Sequence, residues 1–272
     1  MIKLPALFSL ALAACAAPGP RILIVTDMEG VGGVYNWDEQ TSPGQRRWDE
    51  ARRLLTGEVN AAVDGAYDAR AGQVVVWDGH GGSRALSLED LHPRAELIQG
   101  PRTPPDYYMG ESHYDAVMIV GQHAMAQTKG GLMAHTQSLS VSGIYLNGRA
   151  VGELGQIAAI AGHFGAPVIF LSGDRPACEE LRQIQPKAET VAVKWMAGTA
   201  SAHSLPHAQA KALIREHARR AVERLAEFQP WRIQGPVEMR IEFFPGKDGK
   251  TPEPRVYQGA TVLETYQRWM GR

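Results

Sequence analysis

The sequence predicts an α/β fold: a mostly parallel sheet flanked by helices, with a smaller C-terminal α+β subdomain. Three observations carry this. Four short runs, residues 22–26, 74–77, 116–120 and 168–171, are rich in β-branched residues and apolar on both faces, as strands buried inside a parallel sheet are. Helical stretches lie between them, so strand and helix alternate. Beyond residue 180 the pattern changes to strands that alternate polar and apolar residues.

Taken in order, residues 22–26 form the first strand and end in the polar segment Thr26-Asp27-Met28-Glu29-Gly30. Residues 46–70 follow as a helix, with Leu54, Leu55, Val59, Ala62, Val63 and Ala66 at near-helical spacing. The second strand, 74–77, ends in Asp78-Gly79-His80, and the third, 116–120, ends in Gly121-Gln122-His123. Residues 151–164 read as an alanine-rich helix ahead of the fourth strand, 168–171. A cluster of Gly, Pro and charge at 174–185 marks the domain boundary. After it come candidate strands at 190–195, 237–244 and 256–262, with a charged helix over 207–228 whose Glu and Arg/Lys pattern suits a solvated face.

Residues 1–20 stand apart. Lys3 gives a positive start, residues 4–14 an apolar stretch too short to span a membrane, and Leu12-Ala13-Ala14-Cys15 resembles the lipobox of bacterial lipoproteins. That resemblance implies cleavage before Cys15 and a lipid anchor on it, in the cell envelope or periplasm. Plain secretion with cleavage at the Ala-rich site is the alternative. The expected division is therefore a leader (1–20), an α/β metal-binding catalytic domain (21–180) and an α+β subdomain (181–272). A net charge of −1 argues against nucleic acid as a partner. Cys178 has no partner once Cys15 is lipidated and reads as a packing residue.

Candidate chemistry gathers at the strand ends. In open α/β sheets, ligands bind beyond the carboxyl ends of the strands. Asp27 and Glu29 share one face of the chain at i and i+2, and His80 and His123 end neighbouring runs. Two carboxylates and two imidazoles make a donor set for zinc or a similar divalent ion. Each residue has an ordinary reading beside this one. A histidine after a strand is commonly a loop residue, Asp78 can cap a helix, and Gly30, Gly32 and Gly33 can form a plain turn. Other signatures are missing: there is no G-x-S-x-G elbow, no H-E-x-x-H, no P-loop and no G-x-G-x-x-G.

Thr26-Asp27-Met28-Glu29-Gly30, Asp78-Gly79-His80, Gly121-Gln122-His123, Met133-Ala134-His135 and the run from Asn147 to Gly155 occur in the same order in the bacterial D-aminopeptidase family, the dinuclear zinc peptidases of dipeptide-transport operons. Smaller agreements at Leu91-His92-Pro93, Gly173-Asp174, Val193-Lys194 and Ile241-Glu242-Phe243 extend the resemblance over residues 21–272. It implies two zinc ions held by Asp27, Glu29, His80, His123 and Glu153. It also implies a catalytic His135, described in the family as the nucleophile, and a ring-like homodecamer. The substrates it implies are short peptides with an N-terminal D-residue such as D-Ala. Without the resemblance, Glu153 is an ordinary carboxylate at a helix start. The residues themselves favour acid–base or oxyanion work for His135 and leave its role open.

One extra residue separates His123 from His135, within 127–131, a loop expected to line the substrate site. The leader points to peptides of the envelope, such as peptidoglycan fragments with D-residues. Competing readings are a zinc amidase or L-specific peptidase on the same scaffold, and a non-catalytic, lipid-anchored peptide-binding protein.

Overall fold

Strand β1 (Arg21–Thr26) is buried over its last five residues because both of its faces are covered. Its side chains alternate: Ile22 and Ile24 enter one core, Leu23 and Val25 the other. The computed structural model describes residues 18–82, 84–100, 109–110 and 113–271. Cys15, on which the expected lipid anchor rests, lies outside them.

β1 pairs in parallel with β2 (Gln73–Asp78) on one side and β4 (Ala116–Gln122) on the other. The sheet extends in the order β3-β2-β1-β4-β7-β8-β9, with β3 spanning Ala95–Ile98, β7 Val168–Asp174, β8 Glu189–Gly198 and β9 Ser201–Ser204. Every pairing is parallel except that of β8 with β9. From β1 the chain builds outward through β2 and β3, then returns to lay down β4, β7 and β8 on the opposite side. The order therefore reverses between β1 and β4, the switch point where an α/β sheet opens a crevice for ligands.

Helices α2 (Trp48–Asp68) and α5 (His207–Glu223) cover one face of the sheet. They approach closely because Gly65 of α2 offers no side chain: a Cβ there would lie 2.3 Å from the Arg215 carbonyl oxygen. The other face is covered by α3 (Glu153–His163), α4 (Arg175–Ile184), α6 (Val262–Trp269) and a smaller antiparallel sheet. That sheet has the order β11-β10-β5-β6, from Arg255–Gly259, Val237–Phe243, Val141–Leu146 and Arg149–Ala150.

The mostly parallel sheet, its flanking helices and the second, smaller architecture follow the sequence expectation. Two placements differ from it. The strand expected at 190–195 is not part of a separate subdomain: β8 continues the large sheet across position 181, pairing with β7 in parallel. The small sheet in turn takes two of its four strands from before that position, because β5 pairs with β10 across a long separation. The charged α5 does bury one stripe, Ala210, Ile214, Ala218, Ala221 and Val222, against α2. Cys178 is buried in the second core, and burial pushes its thiol up to about 12, as a packing residue requires.

Candidate metal centre

β1 and β4 bring their ends together by backbone contact. Past Thr26 the chain keeps pairing with β4, through Asp27 N–H to Val120 C=O (2.8 Å) and Gly30 N–H to Gly121 C=O (2.7 Å). The approach is so close that a Cβ on Gly30 would lie 2.0 Å from the Gln122 carbonyl oxygen. Gly30 is thus required by contact with β4 rather than by a plain turn. The packing fixes Asp27 and Glu29 beside His123.

Asp27 is the hub. Its Oδ1 accepts from Met28 N–H (2.9 Å) and faces His80 Nδ1 at 3.1 Å. Its Oδ2 accepts from Gln122 Nε2 (3.1 Å) and faces His123 Nε2 at 3.1 Å. Glu29 Oε2 lies 3.0 Å from His80 Nδ1. Glu153, at the first position of α3, points its Oε1 toward His123 Nε2 (3.7 Å) and His135 Nε2 (3.6 Å). Asp27, Glu29, His80 and His123 are buried, and Glu153 and His135 are partly exposed.

Each imidazole is oriented by a backbone carbonyl, which can only accept. His80 Nε2 donates to Thr41 C=O (2.8 Å), His123 Nδ1 to Ala124 C=O (2.8 Å) and His135 Nδ1 to Met133 C=O (3.2 Å). The opposite nitrogen of each ring is thereby turned toward the carboxylates, the arrangement that orients a metal-ligating histidine. Thr41 is placed by the short helix α1 (Trp37–Gln40) and its following turn, where Gln45 Oε1 accepts from Thr41 N–H (2.7 Å). His135 stacks on His123, ring centroids 3.9 Å apart, and meets the edge of Trp37 at 5.0 Å.

Burial disfavours charge on Asp27, His80 and His123, yet their neighbours keep it there. Burial alone would raise the Asp27 carboxyl; His123 and His80 hold it well below the usual range. Burial likewise opposes the His80 imidazolium, but Glu29 and Asp27 lift it to about 11. His123 is lifted in the same sense by Glu153 and Asp27. A pocket that draws protons so strongly is one built to neutralise carboxylates with cations. His123 Nε2 and Glu29 Oε2 are buried yet lack a well-formed hydrogen bond, and such groups call for a partner. Asp27, Glu29 and His123 offer ligand atoms within 4.8 Å of one another, as do His123, His135 and Glu153. Mixed imidazole and carboxylate donors in this number fit zinc or a similar divalent ion.

All six residues singled out in the sequence converge. Three supports have no sequence signal by spacing. Thr41 contributes a backbone oxygen, and Gln122 supplies an amide to Asp27. Lys194, fully buried in β8, donates its ammonium to the Glu29 and Val34 carbonyls, the latter at 2.6 Å, and so fixes the chain beyond Asp27. Asp78 does not cap a helix. Its Oδ2 accepts from Leu86 N–H (2.9 Å) and Gln99 Nε2 (3.2 Å), bracing the loop that carries His80. Residues 127–131 form tight turns (Gly131 N–H to Thr128 C=O, 3.1 Å). Among the described residues they give no side chain to the cavity beside Asp27 and Glu153, whereas Gln137 does.

A doubly covered α/β sheet with carboxylates and imidazoles at its switch point defines a protein of the metal-dependent α/β class. The chain belongs to peptidase family M55, described as D-aminopeptidase, whose model matches residues 21–251. A D-aminopeptidase of Bacillus subtilis (strain 168) is 30% identical over 260 residues, 91% of this chain and 94% of the relative. A solved structure, the Zn-dependent D-aminopeptidase DppA from Bacillus subtilis, a self-compartmentalizing protease, superposes with a TM-score of 0.82 at 29% identity. It covers 92% of this chain and 96% of that one.

Proposed function

We propose that this protein is a dinuclear zinc aminopeptidase that releases N-terminal D-residues, D-Ala among them, from short peptides. The observation that carries the reading is the two-sided use of Asp27, one oxygen toward His80 and the other toward His123. A carboxylate so placed could serve two ions, which Asp27 would hold together with Glu29, His80, His123 and Glu153. Family membership and the Zn-dependent relative support the choice of metal and substrate. Zinc, when bound, supplies Lewis acidity that activates water near neutral pH and polarises a carbonyl.

The chain's own groups do the rest. His135, its Nδ1 fixed on Met133 and its ring held against His123 and Trp37, presents Nε2 to the site. At that nitrogen it takes the proton from the attacking water and delivers it to the leaving amine.

One observation favours a second role for His135. Its ligand atom lies with those of His123 and Glu153, so it can be a metal donor in place of a proton carrier. Zinc content and release of D-Ala against L-Ala from matched dipeptides, in wild type and His135→Ala, decide both questions. The reading expects two zinc ions in each protein, D-selective release by the wild type, and a loss of about a thousandfold or more in the variant. Loss of one ion in the variant makes His135 a ligand. Release of L-Ala alone replaces the reading with an L-specific peptidase on this scaffold.

The proposal extends to a cell-envelope location through lipidated Cys15, on the strength of the Leu12-Ala13-Ala14-Cys15 motif. Incorporation of labelled palmitate, abolished in Cys15→Ala, is the expected result. A homo-oligomer, a decamer by resemblance, is supported by the relative described as self-compartmentalizing; light scattering on the purified protein measures it.

A further inference from the structure

One face of α3 carries Glu153, Gln156, Ile157 and Ile160, the spacing that lines side chains along a single stripe. The stripe starts acidic at the metal centre and turns apolar. Facing it, α6 and its C-terminal residue present Tyr266, Trp269 and Met270. Between the two helices and the ends of β1 and β2 lies a cavity of about 240 Å³ that opens on Asp27 and Glu153, with Trp77 in its wall. Among the described lining residues the only charged groups are those two carboxylates, and neither Lys nor Arg is present. Polar contact comes from the amides of Gln122, Gln137 and Gln156.

Size and charge together select the occupant. At about 30 Å³ per water the cavity holds roughly eight waters, below the 300–1,000 Å³ of pockets for drug-sized ligands. One residue fits, and a run of peptide does not. The part of a dipeptide that leaves carries a carboxylate, which deep in the cavity would be desolvated against Ile157, Ile160 and Trp269 with no Lys or Arg beside it. The N-terminal residue has its amine and scissile carbonyl at the centre lined by Asp27 and Glu153 and can lay its side chain inward, along Ile157 and Ile160. Alanine's methyl would leave most of this volume to water, whereas each further buried methylene strengthens binding about fourfold.

We infer that this cavity is the side-chain subsite for the N-terminal residue, shaped for an uncharged apolar side chain larger than methyl, with Ile157 and Trp269 determining specificity. The inference rests on the aminopeptidase reading above and adds the substrate class. The α6 wall is held in place by its own caps. Thr261 Oγ1 accepts from Glu264 N–H (3.2 Å), Glu264 Oε2 accepts from Ala260 N–H (2.7 Å), and Thr265 Oγ1 donates to Val237 C=O (3.1 Å). Its residues also lie beyond the matched family region, which ends at 251.

The test uses zinc-loaded protein and two readouts. The first is kcat/KM for D-Leu-Gly against D-Ala-Gly. The second is binding of the free products D-leucine and D-alanine, followed by fluorescence of the cavity tryptophans, which needs no catalysis. The expected result favours leucine in both, by about sixtyfold where all three of its extra carbons are buried. Ile157→Phe, at a half-buried position, fills the cavity and lowers D-Leu-Gly cleavage and D-leucine binding far more than those of the alanine compounds. Trp269→Ala opens the opposite wall, weakening D-leucine and admitting D-tryptophan. Equal binding of the two products, or variants that lower both substrates alike, overturns the assignment even if D-Ala-Gly is cleaved well. Selective D-leucine binding that Ile157→Phe abolishes, in a protein that cleaves no D-peptide, overturns the aminopeptidase reading and leaves the subsite standing.

Discussion

Each histidine at the centre gives one nitrogen to a backbone carbonyl and turns the other on a carboxylate, so its orientation is set before any ion arrives. In the metal-free protein the inward nitrogens of His80 and His123 carry protons. His80 is held protonated to about pH 11 by Glu29 and Asp27, and His123 is raised in the same direction by Glu153 and Asp27. An ion binding there must displace those protons. The sign follows: zinc affinity rises with pH across the neutral range, because proton competition weakens as pH approaches the raised pKa from below. Calorimetry at pH 7 in buffers of different ionisation enthalpy should show about one proton released from each of His80 and His123. Uptake with no proton release would mean that these nitrogens are not the ligands. His80 and His123 are legible in the sequence because both follow strand ends of a parallel sheet. Glu153 is not, since a glutamate at a helix start has the same signature whether it binds metal or only favours the helix dipole.

At the scale of elements, the site depends on how tightly the end of β1 lies on β4. Gly30 has room for hydrogen and nothing more, with the Gln122 carbonyl 2.0 Å from where a Cβ would sit. Gly30→Ala must therefore lift the segment bearing Asp27 and Glu29 off β4, at a cost of about 2–4 kcal/mol. Zinc content and melting temperature should fall together in that variant; a normal zinc content would show that the strand ends do not set the ligands. A second prediction concerns α2. Glu58 is fully buried, accepts from Gly32 N–H at 3.0 Å, and is pushed by burial from 4.5 to about 8. The folded state holds this proton more tightly than the unfolded chain. Its contribution is therefore complete below about pH 4.5 and is lost as pH rises through about 8. Glu58→Gln keeps the shape without the titration, so its melting temperature should exceed that of the wild type by several degrees at pH 9 and match it at pH 5. Equal differences at both values would refute the titration. The strands of the large sheet are readable from apolar runs because both faces are covered. β5 is not: Ser142 and Gly143 interrupt its apolar pattern, and it gains its place by pairing with β10 across a long separation.

For the whole molecule, the proposed zinc donors come from the ends of three strands and the start of α3, elements joined in space and far apart in the chain. The unfolded chain cannot gather them, so zinc binds the native state alone and stabilises it by mass action. At a free concentration a thousandfold above its dissociation constant that is about 4 kcal/mol. For a domain of this size each kcal/mol moves the melting temperature by about 2–4 °C, giving a shift on the order of 10 °C. The two apolar cores flanking the sheet contain none of the ligands, so the metal-free protein should stay folded and only melt earlier. In a zinc-buffered titration the melting temperature should climb with the logarithm of free zinc in the wild type. It should stay flat in Asp27→Asn, where the carboxylate that faces both His80 and His123 has become an amide. A wild-type curve that is also flat, in protein shown to carry zinc, would place the metal away from this crevice. A curve that climbs unchanged in Asp27→Asn would remove Asp27 from the proposed ligand set.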